Sequence, residues 1–135
     1  MIQEAVPNNF VDTLVTKRYN KPVSPKRGEI YLVDFDGIGS EQKGKRPAVV
    51  VQNDVGNEKS TTVIVAPMTS RLSKHNIPTH VQLSRERTSL KTDSIVLMEQ
   101  MRVVDKSRLT YHVATVNTED MKLINNALLV SLGLI

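Results

Sequence analysis

Residues 39–45, Gly39-Ser-Glu-Gln-Lys-Gly44-Lys45, carry the glycine and lysine spacing of a phosphate-binding P-loop. Such a loop needs Ser or Thr next, to hold magnesium, and then a helix whose N-terminus meets the phosphate. Arg46, Pro47 and a valine run follow instead, so nucleotide hydrolysis is set aside. The three histidines, His75, His80 and His112, invite a two-histidine hydrolase or a metal site. His75 and His80 stand five apart across a proline with no acid between them. That spacing builds neither a metal-binding helix nor a nucleophilic triad, so all three read as exposed or structural. Glu41, inside the glycine-rich loop, and Glu99 could each act as a general base. Simple solvation is the alternative for Glu41, and an ion pair on a sheet face for Glu99; spacing alone does not choose.

The elements that must position these groups are mostly strands. Residues 29–34 are a strand candidate, and residues 36–45, with three glycines, form a long exposed loop. Pro47 opens the continuous apolar run Ala48-Val-Val-Val51, which suits a strand buried on both faces. Residues 53–60 are rich in turn formers, residues 61–66 are β-branched, and residues 67–78 read as a second, basic loop. Residues 79–83 alternate as a half-exposed strand does, and residues 94–104 make the longest strand candidate. The period then changes. Thr118 precedes two acids, Glu119 and Asp120, an N-cap pattern for a helix carrying Met121, Ile124 and Leu128 on one stripe and stopping near Gly133. The expectation is five or six short strands closed by one C-terminal helix. Residues 1–24 hold two prolines, three asparagines and one short apolar stretch, Phe10–Val15, which Asn8 or Asn9 could cap as a brief helix; they read as an arm, mobile at its start, ahead of a single domain at 25–135.

The chain of 135 residues has no cysteine, which excludes disulfides and thiolate metal sites. No run approaches the roughly 20 apolar residues of a membrane span, and the first ten residues lack the order of a secretory signal; a cytoplasmic location is expected. Net charge is +4, and residues 39–91 alone carry nine Lys/Arg against four acids. That concentration suits a polyanion such as RNA, or an acidic protein segment, with a solvated charged surface as the plainer alternative.

Five pieces in order carry a family resemblance: Lys26-Arg-Gly-Glu-Ile-Tyr31, Gly39-Ser-Glu-Gln42, Lys45-Arg-Pro-Ala-Val-Val-Val51, Ala66-Pro-Met-Thr-Ser70, and Leu97-Met-Glu-Gln-Met-Arg102 followed by Asp105. From about residue 26 onward the chain resembles MazF/PemK toxins. The resemblance implies a mainly β fold, an SH3-like, partly open barrel of the MazF/PemK/CcdB type with a C-terminal helix, usually paired as a homodimer. It further implies a toxin of a toxin-antitoxin system, an endoribonuclease that cuts single-stranded RNA (mRNA) at short sequences without metal or other cofactor. A cognate acidic antitoxin is the implied protein partner. The family's catalytic arginine falls on Arg46, its strand-end threonine on Thr69, the loop acid on Glu41, and the Glu-Gln pair on Glu99 and Gln100. Family members usually begin within a few residues of the Arg-Gly-Glu motif, so the first 24 residues are a departure that the resemblance does not explain.

The implied reaction is attack of a ribose 2′-hydroxyl on its neighbouring phosphate. It needs a proton acceptor, a proton donor and positive charge for the phosphorane. Arg46 suits the charge, since its fork can grip two oxygens, and Thr69 can donate to the same group. Arginine is a poor base at neutral pH, which leaves Glu41 or a deprotonated neighbour as acceptor. Base reading falls to the loops, through Ser40, Gln42, Lys43, Lys45, Ser70 and Arg71, with Glu99 and Gln100. Phe35 is the expected stacking platform, with burial in the core as its alternative. Two rivals share the barrel: a toxin that poisons a topoisomerase, and a non-catalytic module binding RNA or protein.

Overall fold

The alternating and continuous apolar runs become seven antiparallel strands in the computed structural model, which describes residues 24–37, 39, 44–71 and 77–135. These are β1 (Glu29–Phe35), β2 (Gly44–Val50), β3 (Thr62–Thr69), β4 (His80–Leu83), β5 (Ser94–Leu97), β6 (Arg102–Asp105) and β7 (Leu109–Thr115). Among the described residues three α-helices accompany them: α1 (Asp54–Lys59), α2 (Arg85–Thr88) and α3 (Thr118–Ser131). The expected arm with its short apolar stretch lies outside the described residues, as do Glu41 and His75. No helix among the described residues is long and apolar enough to cross a membrane.

The strand order is β4-β5-β3-β2-β1-β7, with β6 also paired to β3. Side chains alternate across this sheet, so β1, β2 and β3 each feed two cores. Ile30, Val49, Ala66, Met68, Val81, Val96 and Met98 pack beneath Ile124 and Ala127 of α3. Tyr31, Val33, Phe35, Ala48, Val50, Val63, Val65, Val104 and Leu109 fill the other side. The run 48–51 is apolar throughout because both its faces are buried, as expected.

The sheet curls. On a flat sheet β6 and β1 would be three strands apart, about 14 Å at some 4.8 Å per strand. Yet the Arg102 guanidinium of β6 sits 5.6 Å from the Phe35 ring centroid of β1. Arg108, just ahead of β7, donates to the Asp34 carbonyl at 3.0 Å. The second core is therefore the inside of a barrel. It is partly open, since β6 and β7 share no ladder among the described residues.

Several local expectations are corrected. The single long strand at 94–104 is broken: β5 pairs Met68 with Val96, whereas β6 pairs Val65 with Arg102. The register on β3 jumps by three residues between them, and those three, Met98–Gln100, are pushed out as a 3-10 turn. Residues 53–60 are not a loop but the capped helix α1, with the Asn53 side chain accepting from the Gly56 N–H at 2.8 Å. β2 begins at Gly44, so Pro47 lies inside the strand opposite Leu32, while the recorded ladder to β3 begins beside it at Ala48. β3 runs on to Thr69, three residues further than expected. The cap of α3 is Asn117, one residue ahead of Thr118, accepting from the Asp120 N–H at 2.8 Å.

The Arg-Gly-Glu motif has a structural task in this frame. Lys26 and Glu29 close a turn on each other, through Lys26 N–H to Glu29 Oε1 at 2.7 Å and Glu29 N–H to the Lys26 carbonyl at 3.0 Å. Gly28 makes that turn at φ +92°, and a Cβ there would press on the Met121 sulfur of α3 at 3.3 Å. Glycine is needed on both counts.

Candidate active site

Register brings the two leading candidates together. β2 and β3 pair with Ala48 opposite Pro67. Carried on for two residues, that register sets Arg46 across from Thr69, and side chains directly opposite in an antiparallel pair point the same way. On its other edge Arg46 faces Val33 and neighbours Phe35, which is opposite Gly44. Val33, Phe35, Ala48 and Val65 mark this side as the barrel interior, so Arg46 and Thr69 stand at the mouth of the barrel, above its core.

Thr69 is 3 % exposed and ends its strand in a turn. Its Oγ1 accepts the Arg71 N–H at 3.1 Å. One lone pair is thereby held while the O–H proton has no acceptor among the described residues, so the hydroxyl is oriented and able to donate. Ser70 and Arg71 follow it, exposed at the same edge. Lys45 is exposed and, one residue from Arg46, points to the opposite side of β2 beside Asp34. Ser40, Glu41, Gln42 and Lys43 lie outside the described residues.

Phe35 is 3 % exposed. The core alternative holds for it in this structure: the ring belongs to the barrel interior and is covered by Arg102, so it offers no open face for stacking. Arg102 is the residue at this mouth that received no role from the sequence. It also donates from Nη1 to the Asp36 carbonyl. The available signal was a lone arginine in a strand whose alternate neighbour, Val104, is buried.

Glu99 sits on the extruded turn, and its side chain meets His80 and Thr79. Its Oε2 lies 2.9 Å from His80 Nε2, and its Oε1 accepts from Thr79 Oγ1 at 2.9 Å. Burial pushes the Glu99 carboxyl up, but hydrogen bonds from His80, its own backbone N–H and Thr79 outweigh that and hold it below the usual glutamate range. An ionised Glu99 can only accept, so the His80 Nε2 is the donor of this contact, and the buried Nδ1 has no partner among the described residues. His80 lies on β4, opposite Leu97, on the same side of the sheet as Thr69, two strands over and two residues along, about 12 Å away. Gln100 follows Glu99 on the same turn. His112 packs on Tyr31 and contacts Thr115 Oγ1 at 2.9 Å, a structural setting.

Residues 26–132 match the family of PemK-like, MazF-like toxins of type II toxin-antitoxin systems. The chain belongs to this family. It is 47 % identical over 110 residues to Endoribonuclease MazF of Staphylococcus saprophyticus, covering 81 % of this chain and 92 % of that protein. Among solved structures it is similar to MazF from Deinococcus radiodurans, with a TM-score of 0.71 and 26 % identity over 82 % of this chain and 98 % of that one. It is also similar to an endoribonuclease solved in complex with its cognate antitoxin from a mycobacterial species, with a TM-score of 0.67 and 27 % identity over 82 % and 97 %. The MazF-like fold accounts for the antiparallel curled sheet closed by α3, and the matched span contains every element of the barrel mouth.

Proposed function

We propose that the chain is a sequence-selective endoribonuclease toxin that cuts single-stranded RNA, mRNA in the cytoplasm, by 2′-hydroxyl attack and without a metal. The observation that supports this reading is the β2–β3 register, which, carried two residues past Ala48 and Pro67, sets Arg46 across from the oriented hydroxyl of Thr69. In the reaction the 2′ oxygen bonds to phosphorus as its proton passes to a base, Glu41 or a deprotonated neighbour. The bond from phosphorus to the 5′ oxygen breaks, and that oxygen takes up a proton. The products are a 2′,3′-cyclic phosphate and a 5′-hydroxyl. Arg46 grips the phosphorane oxygens as their charge grows and Thr69 donates to the same group, a preorganised arrangement that favours the transition state over the ground state. Glu99, bonded to His80 on the same side of the sheet as Thr69, and Gln100 beside it on the turn would take flanking bases.

Two partners accompany this reading. An acidic antitoxin segment would order itself across the basic mouth and compete with RNA. A second copy would cover the apolar side of α3 that the barrel leaves open, where Leu123 and Leu132 are each more than half exposed.

The deciding experiment incubates purified protein with long single-stranded RNA in EDTA. Discrete fragments with 5′-hydroxyl ends are expected, and sequencing the ends reads out the cut site. Intact RNA in EDTA and in magnesium alike would reject the enzyme and leave the topoisomerase poison or the inert barrel.

A further inference from the structure

Arg102 is a half-buried cation at the barrel mouth with no counter-charge among the described residues. Val65 is its partner on β3, which turns it toward the barrel interior with Phe35. Its guanidinium rests over the Phe35 ring at 5.6 Å and gives one N–H to the Asp36 carbonyl. Neither partner carries a negative charge, and no carboxylate pairs with Arg102 among the described residues. The nearby carboxylate of Asp36 is engaged elsewhere, by Arg108 Nη2 at 3.0 Å. A guanidinium has five donors in a planar fork, and among the described residues the Asp36 carbonyl takes one of them. The ring and the carbonyl nonetheless hold it in one orientation. Arg46, on β2, neighbours Phe35 and lies on the same side of the sheet, so both arginines belong to the side of the barrel mouth that holds this ring.

A partly exposed cation that is held in one place, with no anion beside it among the described residues, is ready to receive one from solution. We propose that Arg102 binds a backbone phosphate of the RNA next to the phosphate under attack, adding a second electrostatic anchor to the one at Arg46. A base stacked on the guanidinium would leave its charge uncompensated, whereas a phosphate satisfies both charge and fork. The inference rests on the endoribonuclease reading above.

A phosphate contact and a purely structural cap over Phe35 differ in their dependence on salt. Each phosphate neutralised on a single strand contributes about −0.7 to the slope of log K against log salt. The probe is a mixed-sequence single-stranded RNA fully 2′-O-methylated, which lacks the attacking hydroxyl and stays intact. Arg102→Gln is expected to weaken its binding about tenfold at low salt and to flatten the slope by about 0.7. Arg102→Lys keeps the charge and is expected to keep the slope. If Arg102→Gln does not fold, Arg102→Met covers the ring with an unbranched chain and serves the same reading. An unchanged slope in the neutral variant overturns the proposal while leaving the enzyme reading intact. Failure of the wild type to bind the probe, together with failure to cut ordinary RNA, overturns the enzyme reading itself.

Discussion

Replacing Thr69 by Val separates chemistry from architecture at the barrel mouth. The two side chains have closely similar shapes, so the buried position, 3 % exposed, is filled without a cavity. What is lost is one hydroxyl. Its folded-state task is to accept the Arg71 N–H at 3.1 Å, and Arg71 is exposed, so water can take over that N–H. The cost in stability is therefore at the low end for a hydrogen bond, about 0.5–1 kcal/mol, or roughly 2–5 °C in melting temperature for a domain of this size. Losing a donor to the phosphorane costs far more, about 100- to 1,000-fold in rate, or some 2.7–4 kcal/mol. Thr69→Val should thus unfold almost like the wild type in urea and cut RNA at least about a hundredfold more slowly in single-turnover assays. Thr69→Ser, which keeps the hydroxyl, should recover most of the rate. A Thr69→Val protein that cuts RNA within about threefold of the wild-type rate would falsify the donor role, because so small a loss is below that of any transition-state hydrogen bond.

Arg46→Ala should fold and lose about a hundredfold or more in cleavage, and Arg46→Lys should stay poor because an ammonium lacks the bidentate fork; the same gel assay checks both. The Glu99 carboxyl is held below its ordinary value of 4.5 by His80, its own N–H and Thr79. A carboxyl lowered by folding stabilises the native state above its unfolded value, and that contribution fades as pH falls through the folded one. Glu99→Gln should therefore flatten the loss of stability below pH 4.5, modestly because the group is partly exposed; identical acid limbs in urea titrations of the two proteins would refute this. Asn117→Ala removes the cap of α3 and should cost about 1 kcal/mol in urea unfolding, with Asn117→Asp close to the wild type.

What the sequence by itself determined is what depends on near neighbours. The run 48–51 needed only its own composition to read as a strand buried on both faces, and the acids at 119 and 120 marked the start of α3 to within one residue. The ordered motifs led to the family, and with it to a curled antiparallel sheet and a C-terminal helix. The misses share one physical origin: they depend on pairing partners that are distant in the chain. Residues 94–104 have a strand's composition throughout, and only their two different registers on β3 expel Met98–Gln100 as a turn and send Glu99 to His80. Arg46 and Thr69, 23 positions apart, were put together only by the family resemblance; the β2–β3 register, carried two residues past Ala48 and Pro67, sets them across from one another. Phe35 and Arg102 lie 67 positions apart on strands that do not pair, and only the curl of the barrel lays one over the other. A chain that names its strands locally still leaves register and curvature to the packing of two cores against one sheet, and those two quantities decided which side chains share the barrel mouth.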